Sequence, residues 1–358
     1  MRTKTLMFLI TYRCNLRCSY CYEPKATAHT VDSARLRSLI RKSILSLPDE
    51  YDSFEIHFMG GEPLLEFNLI KEISEWLWRQ KHDKTLSMIY APTNGTLLSD
   101  DIRQWCTENR ERFCLGLSFD GNETMQNINR SGSSSSINLD FFVRTWPQQS
   151  VKMTISPDTI GEFAAGVKFL HFKGFKKVVA DLARGIHVQW DKKHLKQLSQ
   201  QLDELSQFYL FHNDEYHLPL LDIDIFGLQT NKNEVYKSCS CGEDLICIDV
   251  DGTEYACHLF SPVAIPIDKA RRSLSIDFTR HEDLQNSECQ ICMLNRLCNH
   301  CYGMNYICTN NVSTPDSFHC AAFKTIYIAN CRHQLRMAKH DGNAEKITRI
   351  GKLIDTIK

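Results

Sequence analysis

Three cysteines, Cys14, Cys18 and Cys21, stand within eight residues of one another, directly behind an apolar run (Leu6–Ile10), in a chain of 358 residues. The stretch reads ITYRCNLRCSYCYEP over residues 10–24. A structural zinc site closes with four ligands, and a disulfide uses two. Three thiolates at x3 and x2 spacing suit a loop folded around a [4Fe–4S] cubane with one iron left open, because soft thiolates select iron–sulfur clusters. Zinc with a borrowed fourth ligand, or three packed cysteines, are the competing readings.

The cysteines elsewhere bear on the same question. Sixteen in 358 is about 4.5%, below the roughly 8–10% that marks a disulfide scaffold. Ten of them fall between Cys239 and Cys320, and Cys106, Cys114 and Cys331 are scattered. Two metal-bearing regions separated by a cysteine-poor stretch are implied, with the thiols as ligands in a reducing, cytoplasmic setting. A net charge of −1 gives no reason to expect nucleic acid or an anionic membrane surface. No apolar run reaches the roughly 18 residues of a membrane span.

Hydrophobic periodicity orders the first 225 residues as β-α units repeated about six times. Strands are expected near 5–12, at SFEIHFMGGEP, LSMIYAPTNGT, RFCLGLSFDG, VKMTISPDT and FKKVVADLA; helices are expected near 31–47, at FNLIKEISEWLWRQ, and at LSDDIRQWCTENR with Ser99 as its cap. This alternation predicts an α/β fold with a parallel sheet. Each polar motif follows a strand: the cysteines, Gly60-Gly61-Glu62-Pro63, Thr93-Asn94-Gly95, and Ser118-Phe119-Asp120-Gly121. Ligands of parallel α/β sheets bind at the carboxyl ends of strands. SGSSSS (131–136) reads as a mobile surface spacer or a gate, and Asp222 and Asp224, alternating with apolar residues and ending near the mouth, as substrate contacts or ordinary strand-face carboxylates. Periodicity is lost over 226–238.

Cys-x3-Cys-x-aromatic-Cys after a first strand, followed one unit later by GGEP, resembles the radical S-adenosylmethionine (SAM) family. That resemblance implies a partial (β/α)6, TIM-like barrel. Cys14, Cys18 and Cys21 would hold a cluster whose open iron binds SAM; one-electron reduction then yields methionine and a 5′-deoxyadenosyl radical that abstracts hydrogen from substrate. Gly60, Gly61 and Glu62 would bind the methionine amino group, Ser118 the ribose, and Tyr20 counts with the cofactor contacts. Thr93 and Asn94 read equally well as turn residues, and Asp120 as a cap.

Residues 239–320 carry a Gly252-x4-Cys257 hairpin turning at Asp251-Gly252, then Cys289-x2-Cys292-x5-Cys298-x2-Cys301, then Cys320. The second run alone could hold zinc. The whole order resembles the SPASM extension of peptide- and protein-modifying radical SAM enzymes, whose motif has three residues where two separate Cys298 from Cys301. It implies two auxiliary [4Fe–4S] clusters, one on Cys241, Cys247, Cys257 and Cys301, the other on Cys289, Cys292, Cys298 and Cys320. Cys239 competes with Cys241. Domains are expected at 1–225 (barrel), 226–325 (SPASM) and 326–358 (helical).

The resemblance further implies three clusters and SAM as cofactors, a ribosomally made precursor peptide as substrate, and a flavodoxin- or ferredoxin-type electron donor. An oxidative crosslink (thioether, C–C or ether) is the first expectation. Sulfatase maturation, oxidising Cys or Ser to formylglycine, and peptide epimerisation are the alternatives. Sulfatase maturases carry an aspartate just after the hairpin cysteine; here the position is His258, a candidate proton acceptor or a plain hairpin cap. With thirteen residues before Cys14, no leader-binding domain is expected ahead of the barrel.

Overall fold

The computed structural model describes residues 2–23, 29–229 and 236–357; of the aperiodic stretch 226–238, residues 230–235 lie outside that set. Strands and helices alternate as the periodicity predicts: β1 (Thr3–Thr11), α1 (Ser33–Leu45), β2 (Ser53–Gly60), α2 (Phe67–Arg79), β3 (Thr85–Thr93), α3 (Asp100–Glu108), β4 (Phe113–Leu117), α4 (Glu123–Asn129), α5 (Leu139–Thr145), β5 (Val151–Ile155), α6 (Phe163–Phe172), β6 (Val178–Leu182) and α7 (Lys192–Tyr209). Then follow the hairpin β7 (Leu245–Ile248) and β8 (Glu254–Tyr255), and helices α8 (Ile267–Ser273), α9 (Ser287–Gln290), α10 (Tyr302–Thr309), α11 (Ser317–His340) and α12 (Ala344–Ile357).

Local chemistry sets several boundaries. Asp32 caps α1 by accepting the Arg35 N–H at 2.8 Å, and Ser99 caps α3 as its sequence position predicts. The second half of β1 is buried on both faces, as a parallel strand with covered faces requires. In β2, Phe54, Ile56 and Phe58 are fully buried, while Glu55 and His57 between them pair with each other at 2.9 Å.

Packing divides the chain into two units. The first comprises Met1–Phe119, Arg130–Pro147 and Cys239–Arg280; the second comprises Asp120–Asn129, Gln148–Ser238 and His281–Lys358. The first holds a six-stranded sheet in the order β4-β3-β2-β1-β7-β8, parallel but for the antiparallel β7–β8 hairpin. Gly252, with φ +89°, makes the hairpin turn. The second unit holds the parallel pair β5–β6, with α11 packed on α7 and α12. Its core gathers Ile225, Leu294, Phe323, Tyr327 and Ile350.

One expectation is corrected here. LPLLDIDIFG forms a 3-10 turn (Pro219–Leu221) rather than a strand. Asp222 pairs with His217 at 2.9 Å, and Asp224 accepts the Phe226 N–H at 3.0 Å. Proline at the start and local carboxylate hydrogen bonds favour a turn over a ladder. Among the described residues no helix is long and apolar enough to cross a membrane.

Candidate functional site

In the first unit β1 delivers the cysteine loop. Tyr12, at its end, donates from Oη to Asp249 Oδ1 at 2.5 Å and so fastens the loop's root to the β7–β8 turn. Cys14, Cys18 and Cys21 follow, all half-buried, with the Cys21 N–H donating to the Cys18 carbonyl at 3.1 Å. The Arg17 N–H donates to Ser131 Oγ at 2.9 Å, and Ser133 is 5% exposed. Ser131 thus ties the serine-rich segment to the cysteine loop, while Gly132, Ser135 and Ser136 are exposed.

The Gly60-Gly61 turn packs directly on that loop. The Gly61 N–H donates to the Thr11 carbonyl (3.1 Å) and the Glu62 N–H to the Arg13 carbonyl (2.8 Å). A Cβ at Gly60 would stand 2.0 Å from Thr11 O, and one at Gly61 would stand 2.4 Å from Arg13 O and 2.9 Å from Cys14 Cβ. Glycine is required because two backbones touch here.

Glu62 is 1% exposed. Its Oε1 accepts the Leu64 N–H at 3.0 Å and the Thr93 hydroxyl at 2.9 Å, and its Oε2 accepts the Asn94 N–H at 2.7 Å. Burial nevertheless pushes its carboxyl up to about 7, against those hydrogen bonds and the charge of Arg130. A carboxylate offers about four acceptor sites, so one stays available. Asn94 Nδ2 also donates to Asn15 Oδ1 (2.9 Å), and Asn15 Nδ2 to Thr96 Oγ1 (2.8 Å). Thr93 and Asn94 thus bind the site together. Ser118, half-buried at the end of β4, donates its N–H to the Thr93 carbonyl at 2.9 Å.

Sequence reasoning missed Arg130. It is 8% exposed, and its guanidinium lies 5.6 Å from the centre of the Tyr20 ring. Its charge favours the ionised form of Glu62, against the effect of burial. The signal was a lone arginine ahead of a serine run, which carries no spacing pattern. His258 opens a 3-10 turn after Cys257, and its Nε2 lies 3.0 Å from the hydroxyl of Tyr22, next to Cys21. The histidine is thereby tied to the cysteine loop and not only to its own hairpin.

Two further thiol sets appear. In the first unit Cys241 and Cys247 are buried and Cys257 half-buried. The Cys241 backbone bridges Leu245, and the Gly242 N–H reaches the Ala256 carbonyl at 3.0 Å. Burial pushes the Cys247 thiol far up, with the fields of Cys257 and Asp249 adding. Cys239 is half-buried.

In the second unit burial pushes Cys298 up to about 12 and Cys289 up to about 11, and each also feels Cys292 and Cys320. Thiols gathered like this resist ionising without a cation to compensate them, a charge that a bound metal centre would supply. Among the described residues no three His, Cys, Asp or Glu converge on a single metal ion. A cubane needs no such convergence, since each thiolate takes a different iron. Cys301 opens α10. Asp120, also in this unit, is fully buried and accepts the Thr154 N–H at 2.8 Å and Asn129 Nδ2 at 3.2 Å, which makes it a tie to β5.

A three-thiol loop, a glycine turn and a buried acid at successive strand ends define a radical SAM site. Residues 8–137 match the family described as the radical SAM superfamily: the chain carries a radical SAM domain and is an enzyme. It is 25% identical over 327 residues to a serine-type anaerobic sulfatase-maturating enzyme of Klebsiella aerogenes, covering 82% of this chain and 78% of that protein. It is 23% identical over 361 residues to a cysteine-type anaerobic sulfatase-maturating enzyme of Clostridium perfringens (strain 13 / Type A), covering 88% and 92%. Its fold matches native anSMEcpe with bound AdoMet and Cp18Cys peptide at TM-score 0.68 and 19% identity, covering 99% of this chain and 100% of that one. Streptococcus suis SuiB bound to precursor peptide SuiA matches at TM-score 0.57 and 15% identity, covering 88% and 75%. The architecture is the α/β fold of a radical SAM partial barrel with SPASM-type relatives.

Proposed function

We propose that this enzyme oxidises a side chain of a ribosomally made peptide, with an oxidative crosslink as its product. Cys14, Cys18 and Cys21 hold the first cluster. The available acceptor of Glu62 and the backbone of Gly60–Glu62 receive the ammonium of SAM, Arg130 receives its carboxylate, and Tyr20 and Ser118 flank it. When bound, cluster and SAM together supply a 5′-deoxyadenosyl radical able to abstract a hydrogen atom. His258, held by Tyr22, takes up the proton released as the substrate radical loses its remaining electron, which an auxiliary cluster would accept.

Cys289, Cys292, Cys298 and Cys320 hold an auxiliary cluster. Cys241, Cys247 and Cys257 serve another, with Cys241 preferred to Cys239 for its burial; Cys301 is assigned by the family resemblance alone. The observation that carries the reading is the hydrogen-bonded knot of Cys14–Cys21, Gly60–Glu62 and Thr93–Asn94, with Arg130 beside it. A low-potential flavodoxin or ferredoxin is the electron source.

A second reading, maturation of a sulfatase, is favoured by relatives of that activity matching over most of both chains. Anaerobic co-expression with neighbouring short reading frames, followed by accurate peptide masses, separates the two. Loss of two hydrogens with a new intrachain bond supports crosslinking. Unchanged peptides, with a co-encoded sulfatase gaining activity, transfer the assignment to maturation.

A further inference from the structure

In the second unit the chain leaves β6 at Leu182 and reaches Arg184, whose side chain is 13% exposed. Its Nη2 donates to Asn305 Oδ1 at 3.2 Å and to Asp316 Oδ2 at 3.4 Å. Asn305 belongs to α10, and Asp316 is the N-cap of α11. The other carboxylate oxygen of Asp316 accepts the His319 N–H at 2.7 Å, and its main-chain carbonyl accepts the Cys320 N–H at 3.2 Å. One edge of the guanidinium therefore clamps the turn that presents Cys320.

One N–H of the guanidinium is unspent. Arg184 Nε is buried and has no hydrogen-bond partner among the described residues. A buried donor left unmade keeps the full desolvation penalty of that group, and the carboxylate partner of Arg184 among the described residues, Asp316, stands at 3.4 Å. A buried cation with an unspent N–H, beside a four-cysteine set, matches what an anionic iron–sulfur cluster lacks; hydrogen bonds to cluster sulfur and local charge are among the levers that set its potential.

We propose that Arg184 is the positioning residue and charge partner of the auxiliary cluster on Cys289, Cys292, Cys298 and Cys320, supplying its Nε–H to a sulfur of that site and favouring the reduced cluster. The proposal rests on the reading that these four cysteines hold a cluster.

The test is a redox titration of the anaerobically reconstituted holoenzyme, followed by low-temperature EPR, for the parent, Arg184→Lys and Arg184→Met. The signal that SAM perturbs is set aside as that of the first cluster. In Arg184→Met, iron content holds, and at a fixed poise the reduced-to-oxidised ratio of one auxiliary cluster falls about tenfold, equivalent to about 59 mV for one electron. Arg184→Lys, which keeps the charge, restores most of that ratio. An unchanged midpoint in Arg184→Met overturns the proposal. If Arg184→Met loses the cluster outright, Arg184→Lys decides: a retained cluster with a near-parental midpoint supports the assignment, and the same loss overturns it. A Cys289→Ala, Cys292→Ala, Cys298→Ala triple variant with parental iron and EPR would instead sink the underlying reading, and the proposal with it.

Discussion

Glu62, the proposed acceptor for the SAM ammonium, carries a measurable cost of burial. In the folded chain it keeps its proton to about pH 7, against about 4.5 ordinarily. Between those values the folded state binds more protons than the unfolded state, so stability is full below about pH 4.5 and is lost as pH rises through 7. The upper bound on that loss is about 3 kcal/mol. Thermal unfolding of the SAM-free protein is expected to show this slope, and Glu62→Gln to flatten it; equal slopes in the two would mean that Glu62 ionises normally.

His258 belongs to the same scale. Its 3.0 Å contact with Tyr22 fixes the ring, and loss of a positioned base costs typically 10²–10⁴ in rate. His258→Ala should therefore slow product formation about a hundredfold or more while SAM cleavage continues uncoupled, read as 5′-deoxyadenosine formed per peptide modified. Tyr22→Phe should fall between the two. A parallel drop in cleavage and product would place His258 in the SAM site instead.

Among the elements, the strand-end motifs were legible because each couples a period-two apolar run to a turn: β1 to its cysteines, β2 to GGEP, β3 to Thr93-Asn94. What the sequence hid were partnerships of long sequence separation. Nothing local tells that Ser131 would hold Arg17, that Tyr12 would reach Asp249, or that β7 would pair with β1. Asp222 and Asp224 misled because alternation over four residues suits a turn as well as a strand. The glycines, expected to admit a ligand, also admit the cysteine loop. Gly61→Ala sets a Cβ 2.4 Å from Arg13 O, and the backbone must yield. The expected result is loss of the SAM-perturbed EPR signal and of one cluster's share of the iron, with the auxiliary signals kept. A Gly61→Ala protein with its full iron would show that the loop can shift without releasing the cluster.

At the scale of the whole molecule, the chain passes repeatedly between two units, and each assembles thiols from distant parts of the sequence. Composition set two cysteine-rich regions apart, but did not tell that residues 239–280 would pack with the N-terminal strands. The C-terminal helical segment was read as helix without chemistry, because its periodicity shows a face and not what the face covers. In the second unit α12 buries Ile350 completely against Leu294 and Phe323, and Cys292, Met293, Leu297 and Cys298 pack on the same cluster of side chains. The loop that bears two proposed ligands is thus roofed by the last helix. Replacing a buried isoleucine by a charged residue leaves an uncompensated charge in an apolar site and should lift that roof. Ile350→Asp, or removal of 344–358, is expected to leave the SAM-perturbed signal and the hairpin thiols' cluster intact while the cluster on Cys289, Cys292, Cys298 and Cys320 bleaches several-fold faster in air. Ile350→Val, which costs only about 0.5–1.5 kcal/mol, should stay near the parent. Equal bleaching of all signals in Ile350→Asp would mean that α12 supports the fold generally and has no particular hold on that site.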